Sequence, residues 1–148
     1  MVKTILLVDD DQDFLDIAAR AIQHERLPAE VRVARSGPEA LEKLGIAREA
    51  PAAAPPEYAA LFLDLSLPGV DGWAVLQRVR ADERLRRMPV IVVSSSSRPE
   101  DVRRSYDLGA NSYVVKRYDA AGPGRYLATA MRYWLELNRT PGPSWMAS

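Results

Sequence analysis

Asp9 and Asp10, with Asp11 behind them, close an apolar run at Thr4 to Val8; Asp64 closes another, Ser94 a third and Lys116 a fourth. Carboxylates gathered at one place repel one another, so some must hold protons or a cation must sit among them. Oxygen donors without histidine or cysteine select a hard ion such as Mg2+. Lys116 adds a second positive charge, suited to an incoming anion. A carboxylate, a metal ion, a lysine and a hydroxyl are the parts of phosphoryl transfer, in which catalysis is mainly positioning and charge neutralisation. Each residue also has an ordinary reading. Asp10 or Asp11 can cap a helix, Ser94 lies in a four-serine run, Lys116 can be a surface lysine, and Tyr113 can be a partly buried aromatic among valines.

Convergence requires elements that carry these residues to one edge. Five short apolar runs, Thr4 to Val8, Val31 to Ala34, Ala60 to Leu63, Val90 to Val93 and Ser112 to Val115, punctuate the chain. Several lack polar alternation, as strands buried on both faces of a parallel sheet do. Helical spacing fills the gaps: Phe14, Ala18, Ala21 and Ile22; Ala40, Leu41 and Leu44; Val75, Leu76 and Val79; Val102 and Tyr106. Ser36 with Glu39, and Ser97 with Glu100, have capping-box spacing, and Gly109 suits a helix stop. A last helix is expected from about Pro123 to Asn138. Such alternation predicts an α/β fold, a doubly wound (βα)5 parallel sheet of five strands, whose ligand crevice lies at the carboxyl ends of the strands. Arg48 to Glu57 reads as an extended loop, and the chain divides into residues 1–138 and a non-helical tail, 139–148.

Composition narrows the function. The chain has 148 residues, enough for one domain. Its formal net charge is zero, so neither nucleic acid nor a membrane is an expected partner. Cysteine is absent, which removes disulfides, thiolate metal sites and cysteine nucleophiles. The single histidine, His24, falls at a helix end and reads as a surface residue. The opening apolar run is too short to span a membrane and has no signal-peptide pattern, so a cytoplasmic location is expected.

In order, Ile5 to Asp11 (ILLVDDD), Leu61 to Trp73 (LFLDLSLPGVDGW), Pro89 to Ser96 (PVIVVSSS) and Leu108 to Lys116 (LGANSYVVK) resemble the receiver domain of bacterial response regulators, the CheY-like family. The resemblance implies strand order 2-1-3-4-5. It makes Asp64 the acceptor of a phosphoryl group from a sensor histidine kinase. It gives Mg2+ to Asp9, Asp10, Asp64 and the backbone carbonyl of Ser66, with Asp10 the direct ligand and Asp9 acting through water. Lys116 would pair with the phosphoryl oxygens, while Ser94 and Tyr113 would be the switch residues. Output would be a protein contact, with no enzymatic activity beyond self-catalysed phosphorylation and slow autodephosphorylation. Arg132 to Arg139 (RYWLELNR) further resembles short regulators paired with bacterial phytochrome kinases, implying a homodimer through Tyr133, Trp134, Leu137 and the tail.

Three positions depart from the family. Arg117 follows Lys116 where proline is usual, so that peptide bond is expected to be trans, a cis bond before a non-proline costing about 3–4 kcal/mol. Gly122, Pro123 and Gly124 stand at the start of the last helix, and Ser94 replaces the commoner threonine. Two alternatives compete: a pseudo-receiver controlled without phosphorylation, and a Mg2+-dependent aspartyl-phosphate phosphatase. The latter would use the Asp9 and Asp11 spacing, but Gln12 and Asp13 follow where Gly-Thr is typical.

Overall fold

Successive residues of a strand point to opposite faces, and here the central strands bury both. Ile5 and Leu7, Ala60 and Phe62, and Ile91 and Val93 enter one core; Leu6 and Val8, Leu61 and Leu63, and Val90 and Val92 enter another. The computed structural model describes residues 2–46, 57–117 and 124–141. Along the chain run β1 (Lys3–Val8), α1 (Gln12–His24), β2 (Ala29–Ala34), α2 (Gly37–Lys43), β3 (Ala60–Leu63), α3 (Gly72–Ala81), β4 (Val90–Ser94), α4 (Pro99–Asp107), β5 (Ser112–Val115) and α5 (Arg125–Arg132). The strands pair in parallel in the order β2-β1-β3-β4-β5. Helices α1 and α5 cover one core through Phe14, Leu15, Ala18, Leu127 and Met131. Helices α2 and α3 cover the other through Ala40, Leu41, Val75, Leu76 and Val79.

The expected strands all form, and the edge strand β2 does alternate: Val31 and Val33 are half-buried, Glu30 and Arg32 exposed. Asp11 caps α1, accepting from Asp13 N–H. Ser36 Oγ accepts from Glu39 N–H, while Glu39 reaches back to the backbone of Arg35. The second capping box does not form. Arg98 is the N-cap of α4, without a side-chain bond, and Pro99 fills the first turn. Ser96, not Ser97, organises that end: its hydroxyl donates to Asp101 Oδ2 at 2.6 Å and accepts from Arg98 N–H. Nor does Tyr106 join the apolar face; it is 50% exposed, and Ser105 is the buried residue of α4.

Polar contacts therefore hold α4. Trp73 Nε1 donates to Ser105 Oγ at 3.1 Å, and the Arg104 guanidinium lies 4.0 Å from the centre of the Trp73 ring. Arg80 ties the far end, donating to Gly109 O, Met88 O and Asn111 Oδ1. Gly109, with φ of 104°, stops the helix as expected.

The last helix begins at Arg125 after Gly124, whose φ of 95° is left-handed, and continues as a π-helical turn at Tyr133–Leu137. Lys3 Nζ donates to Leu135 O at 2.9 Å, and Arg132 reaches Glu25 O at 3.1 Å, so the start of β1 and the end of α1 both grip this segment. No described peptide bond is cis, Lys116–Arg117 included. Residues 48–56 of the expected loop, Gly122, Pro123 and tail residues 142–148 lie outside the described residues.

Gly72 opens α3 directly on the acidic strand end: a Cβ there would lie 2.2 Å from Asp64 O and 2.7 Å from Leu65 Cα, both backbone atoms that cannot yield cheaply. Gly72→Ala should destabilise the fold by roughly 3 kcal/mol, at the upper end of overpacking costs. Urea unfolding measures it, and a midpoint equal to wild type would contradict the packing.

Candidate functional site

Asp9 and Asp64 are neighbours because β1 and β3 are. Val8 pairs with Leu63, and Asp64 N–H donates to Val8 O at 2.9 Å as the two chains leave the sheet together. Both carboxyls are buried; Asp10, one residue further along, is exposed. One carboxylate oxygen from each of the three lies within 4.8 Å of the others. Lys116 comes from the opposite edge strand, β5. Its backbone N–H donates to Ser94 O at 2.8 Å, and its side chain crosses past β4. The ammonium ends 2.8 Å from Asp9 Oδ2 and 3.8 Å from Asp64 Oδ1, itself buried.

Two buried carboxylates side by side are costly to ionise together. Burial above all, and then the charge of Asp9, push the Asp64 carboxyl up from 3.8 to about 6; Lys116 and the backbone N–H groups of Ser66 and Leu65 pull it partly back. Asp9 Oδ1 accepts from Asp11 N–H, whereas Oδ2 is buried and accepts no well-directed hydrogen bond, the ammonium approaching it as an ion pair. A buried oxygen left in that state, among oxygen donors only, fits a hard divalent cation.

Ser94 ends β4, buried, with Oγ accepting from Ser96 N–H at 3.1 Å. Tyr113, half-buried against the α3-side core, donates its hydroxyl to Ser96 O at 2.8 Å. The expected switch pair is thus joined through the backbone of Ser96, which sequence reasoning passed over; nothing distinguishes it within a run of serines. Phe14 was legible only as a core residue, yet its ring centre lies 4.4 Å from the Lys116 ammonium. Ser66 is exposed just beyond Asp64. At the opposite end of the sheet, Tyr133 is 48% and Leu137 71% exposed, while Trp134 packs partly on the α1/α5 core and edge-on to Tyr133. His24 ends α1 in solvent.

A parallel 2-1-3-4-5 sheet with acids on β1 and β3, a hydroxyl on β4 and a lysine on β5 is the design of a CheY-like receiver. The response regulator receiver domain model matches residues 5–122, and the chain belongs to that family, as a receiver domain of two-component signalling. It is 35% identical over 140 residues to the probable methanogenesis regulatory protein FilR2 of Methanothrix harundinacea, covering 95% of this chain and 88% of that one. Among solved structures, the phosphorylated cyanobacterial phytochrome response regulator RcpA superposes with a TM-score of 0.83 at 32% identity, covering 95% of this chain and 99% of the other. The Mn2+-bound form of the response regulator Rcp1, a Synechocystis protein, follows at 0.82 and 29% identity, covering 94% and 99%. Receiver domains bind a divalent metal at an acidic pocket such as this one.

The raised Asp64 carboxyl has a stability consequence. Its contribution is fully present below about pH 4, the ordinary value of the unfolded chain, and is lost as pH rises through about 6. Without metal, Asp64→Asn should therefore be more stable than wild type at pH 7.5, by ~2–3 kcal/mol, and the gap should close toward pH 4. Urea titrations in EDTA at the two pH values measure this; a pH-independent gap would remove ionisation of Asp64 as its cause.

Proposed function

We propose that Asp64 accepts a phosphoryl group from the phosphohistidine of a sensor histidine kinase, and that the phosphorylated chain signals through protein contacts. The observation that carries this reading is the buried Asp64 carboxyl beside Asp9 and Lys116, at the mouth of a three-acid cluster. Asp9, Asp10, Asp64 and the backbone carbonyl of Ser66 would hold Mg2+, which when bound supplies charge neutralisation for the phosphoryl oxygens. An Asp64 oxygen bonds to phosphorus as the phosphorus–nitrogen bond breaks, and the imidazole leaves with the electron pair. Lys116 shifts its ion pairing toward the phosphoryl oxygens. Ser94 then offers its hydroxyl to the new group and releases the Ser96 backbone, the point to which Tyr113 is also bonded. The step is self-catalysed and hydrolysis slow; the chain is a signalling protein rather than an enzyme, working in the cytoplasm. No described helix is long and apolar enough to cross a membrane.

The likeness to RcpA, a cyanobacterial phytochrome response regulator, supports a bacteriophytochrome as the kinase. Intact-mass measurement after incubation with acetyl phosphate and Mg2+ tests the acceptor. Wild type should gain one phosphoryl group, and Asp64→Asn should gain none. Labelling of both alike would sink the assignment, and an unlabelled wild type would favour a pseudo-receiver.

The receiver, residues 1–138, is proposed to pair as a homodimer through its last helix and the 139–148 tail. Exposed Tyr133 and Leu137, with Trp134 beside them, offer apolar surface that the core leaves uncovered, and closed twofold pairing is the commonest way to bury such surface. Tyr133→Glu with Leu137→Glu should halve the mass measured by light scattering at micromolar concentration. A wild-type monomer under those conditions refutes the pairing.

A further inference from the structure

Lys116 must serve two arrangements. Its ammonium is 2.8 Å from Asp9 Oδ2 and 3.8 Å from Asp64 Oδ1. Asp9 is also one of the acids clustered for a cation. A divalent ion drawing on Asp9 weakens the nearer ion pair, leaving a buried ammonium that has to remain charged and aimed at Asp64. Lysine is a flexible four-carbon stem ending in a point charge, so the strand that carries it does not by itself say where the charge goes.

A further contact of the ammonium is aromatic. Phe14, in the first turn of α1 and almost wholly buried, presents its ring to the ammonium at 4.4 Å from the ring centre. The negative face of an aromatic ring attracts a cation, more strongly where water is excluded, and both partners here are buried. The ring makes no demand on the direction of the N–H bonds, so the ammonium can pass from Asp9 toward Asp64 without leaving it. We propose that Phe14 is a positioning residue for Lys116: its ring holds the ammonium over Asp64 when the Asp9 ion pair is given up to a divalent cation. The phosphoryl part of this inference rests on the function proposed above; the placement of the ammonium does not.

The chain has three lysines, Lys3, Lys43 and Lys116, so amine modification followed by mass spectrometry reads each one separately. In saturating Mg2+, Lys116 of wild type should be protected from reductive methylation relative to half-exposed Lys43. Phe14→Leu should raise its relative rate roughly thirtyfold, the scale of one desolvated cation–π contact. Phe14→Met, of similar volume to leucine but unbranched and better able to fill an irregular gap, should do the same and substitutes if the leucine variant folds poorly. Phe14→Tyr, which keeps a ring, should stay close to wild type. A Lys116 rate unchanged in the folded Leu or Met variant overturns the proposal, as does a Tyr variant as reactive as Leu.

Acetyl phosphate supplies the second reading. Phe14→Leu should slow labelling of Asp64 several-fold in the wild-type background and leave it unaltered in a Lys116→Met background, because the ring acts through the lysine. Equal slowing in both backgrounds would make Phe14 a packing residue only. If wild type takes no label, the phosphoryl-acceptor reading fails, and the amine rates still decide the role of Phe14.

Discussion

Two carboxylates that would separate in water are held together under the carboxyl edge of a parallel sheet, with a lysine as the counter-charge. Most of the architecture can be traced to that constraint. Adjacency of β1 and β3 puts Asp9 and Asp64 side by side, and the bond from Asp64 N–H to Val8 O denies them the freedom to part. The lysine has to come from two strands away, and a long side chain is needed to cross that distance. The tight seat of Gly72 on Asp64 O keeps the next helix against the same strand end. Burial, and then the charge of Asp9, leave Asp64 with a raised carboxyl, and a cation held among the acids would relieve the repulsion.

Beside the acids, the contacts are polar rather than part of the core. Ser96 joins Ser94, Tyr113 and Asp101 by four hydrogen bonds if the one to Arg98 N–H is included. The helix it introduces buries little apolar surface and is clasped by Trp73 through Ser105 and Arg104. A net hydrogen bond is worth about 1 kcal/mol, whereas a well-packed core side chain is worth more. Elements held chiefly by the former lie at the low-stability end of a structure, where local rearrangement is cheapest. Helix α4 is such an element, and Ser96 joins it to Ser94 and Tyr113.

The carboxyl-terminal helix is treated differently. Lys3 and Arg132 anchor it to β1 and to the end of α1, and Leu135 is buried beneath it while Tyr133 and Leu137 face solvent. Anchoring of this kind keeps an apolar surface presented in one orientation, as a rigid contact face requires.

The sequence by itself determined the order of the elements, since runs such as Ala60 to Leu63 and Ser112 to Val115 are strands with the bounds their apolar character indicates. It also marked the candidates for chemistry: acids, a hydroxyl and a lysine recur at strand ends, a period local to each βα unit and so visible without the fold. Caps written into neighbouring residues were legible at Ser36 with Glu39, but at Ser97 with Glu100 the same spacing misled. There Ser96, held by Tyr113 from another strand, and the fixed φ of Pro99 decide where the helix starts. Only the tertiary structure decided that Tyr106 faces water, that Trp73 grips α4, and that the ring of Phe14 lies against Lys116, a hundred residues away. These are contacts between side chains from distant segments, and their energy depends on distances that no local pattern encodes. The altered ionisation of Asp64 is of the same kind: its type and position are written in the chain, but burial and the neighbouring Asp9 charge exist only once the sheet has formed.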